Sequence, residues 1–499
     1  MAQPNSENPI LLPPGLSVPE SDLPEKLSPS EDALGISMSK KNEKDAGGNV
    51  VVEEMPKSNP VSLAAVDSSS EGVNSKPPKT AQQKRTATIQ LITLSHVLFN
   101  LGWNDGTPGP MLPRLQTVYN FGYTVVSMVF VMSCAGFVTG AVLNIWLASR
   151  FPLGKIMAVG ALLQIVAYAV QSSAPPFPAF IVMNFLNGLG LALQDAHANA
   201  FIGSSSENVE TKMGVVQAFY GLGAFTSALV STQFANLDRW SFHYLVSLGF
   251  AIINCGLVFI IFRGRSREEC LREAGEDVVD GRLNGEGTRA FKDIMKSPTV
   301  HALATFLFLY VGVEIAIGGW ITTFILEERN GDANAGYIAS GYFGALALGR
   351  LVLLPINAWC GERFVVFYYS IISFALEFVV WFVPSLVGNG VAVAFIGLFM
   401  GPMYPIAMNQ ASRVLPKRIL TGSIGWVASF GQAGSAVVPF VTGAISQKHG
   451  IWTMNPVTVA LTGAMFIAWA LVPNVAAAVA TEDVESEFNG EKHAADVEP

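Results

Sequence analysis

Three acids stand inside segments otherwise built mainly of apolar residues. They are Asp105 in Leu98-Phe99-Asn100-Leu101-Gly102-Trp103-Asn104-Asp105, Asp195 in Leu191-Ala192-Leu193-Gln194-Asp195, and Glu314 in Tyr310-Val311-Gly312-Val313-Glu314-Ile315. A carboxylate at the centre of a bilayer costs roughly 2.5–3.5 kcal/mol, and such residues usually face a polar cavity on an ion or substrate pathway. Gain and loss of a proton is the chemistry that such a group can perform. Gly102, Gly106, Pro108, Gly109, Pro110 and Pro113 surround Asp105. Helix breakers at this density leave backbone groups unpaired, which a membrane tolerates only where protein or a water-filled cavity satisfies them. The segment is expected to line a cavity; the alternative is a helix that ends earlier, with Asp105 capping an exposed loop.

Other polar residues keep helical spacing with these acids. Gly188, Ala192, Asp195 and Asn199 recur along one helix face, which turns Asp195 into a bundle either as a pathway residue or as a hydrogen-bonded structural one. His197 lies about 200° round that helix from Asp195, so the two form no simple acid–base pair. Gln217, Gly221, Ala224, Ala228 and Ser231 repeat the design, and Gln217 suits either a sugar-like hydroxyl or a neighbouring helix. Arg350, beside Gly349, is the expected buried partner of Glu314, as a structural ion pair or a gate. Glu377 has bulky apolar neighbours and is the least interpretable of the acids; one reading is a protonated form facing lipid or the bundle edge. Gly401-Pro402-Met403-Tyr404-Pro405 predicts a bend ahead of Asn409 and Gln410.

The elements that must position these residues are membrane helices. Of 499 residues, 51% are hydrophobic and 14% charged, and the mean hydropathy of +0.41 is too apolar for a soluble chain of this length. Apolar segments of about 20 residues fall near 88–111, 124–148, 155–174, 177–202, 212–236, 243–263, 299–326, 336–357, 364–384, 388–412, 419–446 and 454–474. The fold class is an all-α integral membrane protein of twelve transmembrane helices in two pseudo-symmetric six-helix halves. A polar tail (1–83), a first half (84–263), a central loop (264–298), a second half (299–474) and an acidic tail (475–499) make up the chain, both tails being read as disordered from their composition.

A shift near 210 residues sets Asn199 on Asn409, Phe185 on Phe395, and Ala218-Phe219-Tyr220-Gly221 on Ala428-Ser429-Phe430-Gly431, and it brings Glu314 beside Asp105. Two parallel halves predict a site between them near the midplane. Lys and Arg concentrate in one set of short loops, which places both termini and the central loop in the cytoplasm. The four cysteines are scattered and suggest neither a disulfide framework nor a metal cage. The six histidines have no HExxH spacing and no P-loop is present, which argues against an enzyme and an ATP-driven pump. No cofactor, metal or nucleic acid is expected.

The chain resembles the major facilitator superfamily, through its twelve segments in two halves and the Leu147-Ala148-Ser149-Arg150-Phe151-Pro152-Leu153-Gly154-Lys155 connection. That connection has Ser149 near the place of the superfamily's usual Asp. More narrowly it is similar to the fucose:proton symporter branch and its fungal relatives. The shared features are Asn104-Asp105 before Leu112-Pro113, Asp195 four residues before Asn199, Gln217-Ala218-Phe219, and Tyr310-Val311-Gly312-Val313-Glu314. The resemblance implies that Asp105 contributes to proton-coupled transport, Asp195 to proton exchange and the substrate site, and Gln217 to substrate contact. Asp195 stands where the branch usually has Glu, and Ala200 where Pro commonly follows the Asn.

The expected function is secondary active transport by alternating access, as proton-coupled symport of a small hydrophilic, sugar-like solute. Asp105, Asp195 and Glu314 are the expected proton-coupling residues, and Asn104, Asn199, Gln217, Tyr310 and Asn409 the expected substrate contacts. Proton-driven export of a small organic metabolite is the alternative, and a non-transporting nutrient receptor with the long tail as output is a third reading. The expected partners are the solute, protons and the lipid bilayer. A monomer is expected, in the plasma membrane or the vacuolar membrane.

Overall fold

A computed structural model describes residues 79–276 and 287–474. The expectation of disordered tails falls outside these residues except at 79–83, where Thr80 already caps a helix. The Thr80 hydroxyl accepts from the Gln83 amide at 3.2 Å while the Gln83 side chain accepts from the Thr80 amide at 2.9 Å. This reciprocal cap starts α1 (Ala81–Gly106) seven residues before the expected 88.

The first half continues with α2 (Pro108–Tyr119), the single turn α3 (Tyr123–Val126), α4 (Met128–Arg150), α5 (Leu153–Ser172), α6 (Phe177–Gly203), α7 (Val209–Ala235) and α8 (His243–Phe262). Two short helices, α9 (Arg267–Glu273) and α10 (Gly287–Lys296), belong to the central loop. The second half comprises α11 (Pro298–Glu328), α12 (Gly336–Val352), α13 (Leu354–Cys360), α14 (Glu362–Phe382), α15 (Leu386–Met400), α16 (Met403–Val414), α17 (Lys417–His449) and α18 (Met454–Leu471).

Among the described residues, ten helical stretches are long and apolar enough to cross a membrane, and α12–α13, bent by 54° where Pro355 enters the chain, makes an eleventh. The twelfth expected segment is α1–α2. Its apolarity is diluted by Gln90, Thr93, Ser95 and Asn100, all buried because the helix packs against α6, α7 and α8. Pro108 and Pro110 interrupt it at Thr107 without ending it, so the segment runs on past the expected residue 111 to Tyr119. The bend expected near Pro402 is a two-residue interruption, Gly401–Pro402, between α15 and α16.

Packing repeats the sequence shift. The pairs α1·α7, α4·α6, α5·α6 and α5·α8 of the first half recur as α11·α17, α12·α15, α14·α15 and α14·α18 of the second, and the halves meet through α7·α12, α4·α17 and α2·α11. Small residues permit the tightest of these approaches. A Cβ at Gly102 would strike the carbonyl oxygen of Tyr220 across α1·α7, and one at Gly434 would strike that of Phe308 across α11·α17. In lipid, such close backbone contact supplies the packing that hydrophobic burial cannot.

Outside the membrane, Glu276 locks the start of the central loop to the first half. Its Oε1 accepts from Lys79 Nζ at 2.7 Å and Lys212 Nζ at 2.8 Å, and its Oε2 from the Ser206 amide at 2.6 Å and hydroxyl at 2.7 Å. Burial opposes its charge, but hydrogen bonds from Lys212, Lys79 and Ser206 outweigh that and hold the carboxyl well below the usual glutamate range.

Candidate functional site

The break at Thr107 opens the wall of α1–α2 toward a cavity between the halves, of about 60 Å³. Asn104, Asp105, Tyr168, Gln171, Asn184 and Tyr244 line it from the first half, and Ile315, Gln432 and Ser435 from the second. Asp105 therefore faces a cavity and does not cap an exposed loop.

A hydrogen-bonded chain crosses this wall. Asn187 Nδ2 donates to Tyr168 Oη at 3.2 Å and to Asn104 Oδ1 at 2.6 Å; Asn104 Nδ2 donates to Asp105 Oδ1 at 3.1 Å; Tyr220 Oη donates to Asp105 Oδ2 at 3.0 Å. Both carboxylate oxygens thus have donors while the group still borders the cavity. Asn187, Tyr168 and Tyr220 were not singled out from the sequence. Tyr220 sits inside the repeated Ala218-Phe219-Tyr220-Gly221, and Asn187 is an amide in an apolar helix beside Gly188, so a faint signal for each existed.

Asp195 lies on α6, with Asn199 Nδ2 donating to its Oδ1 at 2.8 Å. Asp195 and Asn199 remain partly exposed, and Tyr404 of the second half lies within electrostatic reach of Asp195. Glu314, 4% exposed, lies within reach of Asp105 and Arg350. Tyr310 is wholly buried beside Glu314 and Arg350, its ring 6.3 Å from that of Tyr404, and its hydroxyl has no partner of good hydrogen-bond geometry.

Two placements correct the sequence reading. Arg350 forms no ion pair with Glu314 within 4 Å. Instead its Nη1 donates to the Gln217 carbonyl at 3.2 Å and more weakly to Gln217 Oε1 at 3.5 Å, its Nε donates to the Gly401 carbonyl at 3.3 Å, and its guanidinium stacks 5.1 Å from the Tyr220 ring centre. Carbonyl dipoles and an aromatic face, from α7 and from the break between α15 and α16, thus hold the planar cation, and Gln217 spends part of its capacity on Arg350. Asn409 does not reach the cavity either: it is exposed and donates to Glu362 Oε1 at 3.2 Å, beside the Arg413–Glu362 ion pair of 2.9 Å. At about 1.5 Å per residue, its place well beyond the Gly401–Pro402 break carries it toward the end of the span.

Glu377 faces α18 rather than lipid: it is 3% exposed, and Thr462 Oγ1 donates to its Oε1 at 2.7 Å.

The halves close on one another at the end where α2 leads into α3 and α11 into α12. There Tyr123 donates to Glu327, Gln233 to Tyr337, Asn236 Nδ2 to the Ala333 carbonyl at 2.8 Å, and the Thr124 amide to Gln447 Oε1 at 3.4 Å. Among the described side chains, the hydrogen bonds between halves include these and Arg350–Gln217.

This geometry of two pseudo-symmetric helical halves around a polar cavity matches known proteins. The family model for the Major Facilitator Superfamily fits residues 94–439. The chain belongs to the Major Facilitator Superfamily. It is therefore a multi-pass membrane transporter and not an enzyme.

Among relatives of this superfamily member, Bypass of stop codon protein 6 of Saccharomyces cerevisiae is 28% identical over 415 residues, covering 77% of this chain and 82% of that protein. The glucose/mannose transporter GlcP of Bacillus subtilis is 22% identical over 380 residues, covering 75% and 90%. Among solved structures, a D-xylose–proton symporter superposes with a TM-score of 0.62 at 13% identity, over 79% of this chain and 99% of that one. The fucose:proton symporter of E. coli superposes with a TM-score of 0.57 at 16% identity, over 78% and 100%. These structural likenesses show the fold.

Proposed function

We propose that this transporter couples inward movement of protons to uptake of a small hydrophilic, sugar-like solute. The observation that carries the reading is Asp105: a carboxylate bordering a cavity, bonded on both oxygens, with Asp195 and Glu314 in reach. Three acids and one arginine share a region poor in water. Full ionisation would leave negative charge uncompensated there, so a proton on the acids and the alternation of the halves are energetically linked. Asp105, Asp195 and Glu314 act as the coupling set. Asn104 and Tyr168, which line the cavity, are the solute contacts and Asn187 orders both; Tyr310 stands behind them beside Glu314 and Arg350, and Asn199 and Gln217 order Asp195 and Arg350.

The donors and acceptors of the cavity wall suit hydroxyl groups, and the relatives named for glucose, mannose or xylose support that class. The Lys and Arg of the loops put the closed end outside, so the state described opens toward the cytoplasm. Each proton entering across about 100 mV contributes roughly 2.3 kcal/mol, equivalent to a concentration ratio near 50 for a neutral solute. The transporter functions as a monomer in the plasma membrane, one chain supplying both halves of the pathway. Proteoliposome uptake tests the reading. Asp105→Asn should abolish uphill, pH-dependent accumulation while leaving downhill exchange; uphill accumulation that survives the substitution rules out coupling through Asp105.

A further inference from the structure

At the closed end a second cavity, of about 170 Å³, lies between the halves and away from Asp105. Arg114 enters it from α2, Asn236 from the end of α7, Thr322 from α11, and Asp332 from the loop between α11 and α12, with Pro110 and Pro113 forming an apolar wall. Arg114 Nη2 is engaged by the Leu237 carbonyl at 3.0 Å, but its Nε is buried without a partner. Thr322 is 3% exposed, and its hydroxyl too has no partner. A buried donor left unpaired is destabilising, so the pocket gains by receiving an acceptor at both points.

The pocket also limits what that acceptor belongs to. Arg114 and Asp332 both line it, and no ion pair within 4 Å joins them. An anion would meet the Asp332 carboxylate, and a cation would meet the Arg114 guanidinium. A neutral molecule carrying several hydroxyls satisfies both, accepting from Arg114 Nε and the Thr322 hydroxyl and donating to Asp332 and the Asn236 side-chain oxygen, with its C–H face against the two prolines.

We propose that this cavity is a second binding site for a small neutral polyhydroxyl solute, occupied while the transporter is closed at this end. The proposal rests on the sugar-like reading above and extends it to a site outside the central cavity. Because α2 and α7 of one half and α11 of the other share its walls, a bound solute bridges the closed halves and holds that end shut.

The test is equilibrium binding to the full chain in lipid nanodiscs, with tritiated D-glucose, D-xylose and L-fucose as probes. The expected result is that one of them binds at two molecules per chain, falling to one in Arg114→Gln and in Thr322→Val. Thr322→Val keeps the shape of the side chain and so guards against a folding loss in Arg114→Gln; Asn187→Ala weakens only the remaining central site. Unchanged stoichiometry in both outer variants, with binding weakened about tenfold in Asn187→Ala, overturns the second site and leaves the central reading standing. Absence of binding of all three probes to the unsubstituted protein overturns the sugar-like reading and the second site together.

Discussion

Arg350 of the second half donates to the main-chain carbonyl of Gln217 of the first at 3.2 Å, with its guanidinium over the ring of Tyr220, the residue that donates to Asp105. The cation that touches both halves is thus one residue removed from the candidate coupling acid. Arg350→Lys keeps the charge but loses the planar fork and the stacking. It should lower the maximal rate of uptake at least about tenfold, since hydrogen bonds to charged groups contribute about 1.5–3 kcal/mol. Uptake normalised to folded protein in proteoliposomes checks this.

Asn187 bridges Tyr168 and Asn104, so Asn187→Ala leaves Asn104 without its donor. The half-saturation constant for solute should rise about tenfold, equivalent to about 1.4 kcal/mol. Asn409→Ala, on the exposed side of α16, should stay within about twofold of the unsubstituted protein. Parallel saturation curves for the two variants decide the point.

Glu276 is held well below the ordinary glutamate range by Lys212, Lys79 and Ser206 despite its burial. A depressed folded-state value means that the stability it contributes is fully present above the unfolded value, near 4.3, and is lost as the pH falls toward the folded value. Glu276→Gln should lower the melting temperature at pH 7, and the gap to the unsubstituted protein should narrow as the pH drops below about 4. Thermal scans across that range in detergent test the sign.

Cys134 lines the central cavity, and none of Cys134, Cys255, Cys270 and Cys360 is in a disulfide. With the other three replaced by Ser, a membrane-impermeant thiol reagent should modify Cys134 slowly from the closed side. Glu327→Gln, which weakens the bond from Tyr123, should speed that reaction about fivefold, the shift expected for about 1 kcal/mol. An unchanged rate would mean that the Tyr123–Glu327 contact does not hold the end shut.

The span positions and the repeat were legible in the sequence because each rests on local pattern. Apolar length sets a span wherever the chain must satisfy its backbone inside lipid, and the breakers after Asp105 announce an interrupted helix whatever its neighbours are. The first span is the exception in extent. Thr80 and Gln83 begin it early through a cap, which hydropathy does not register, and its buried amides make it read as more polar than its neighbours.

The placement of side chains around the helices depended on the tertiary structure. Spacing set Asp195 and Asn199 on one face, and the fold adds that Asn199 is bonded to Asp195 itself. Asn409 is the repeat equivalent of Asn199, yet it lies on the exposed side of α16 and bonds to Glu362 of α14 where Asn199 bonds within its own helix, so symmetry of sequence did not carry symmetry of partners. The sequence reading pairs Arg350 with Glu314; only the crossing of α7 and α12 set it against the Gln217 carbonyl, 133 residues away in the chain.

By itself, the sequence determined that this protein is a two-half helical membrane protein with acids in its interior, because hydrophobic length and breaker residues act over a few turns of one helix. Which of those acids border the cavity, what holds them there, and where the halves close are contacts between helices distant in sequence. The tertiary structure decided them, since a side chain's partner follows from how backbones cross and how closely glycines such as Gly102 and Gly434 let them approach.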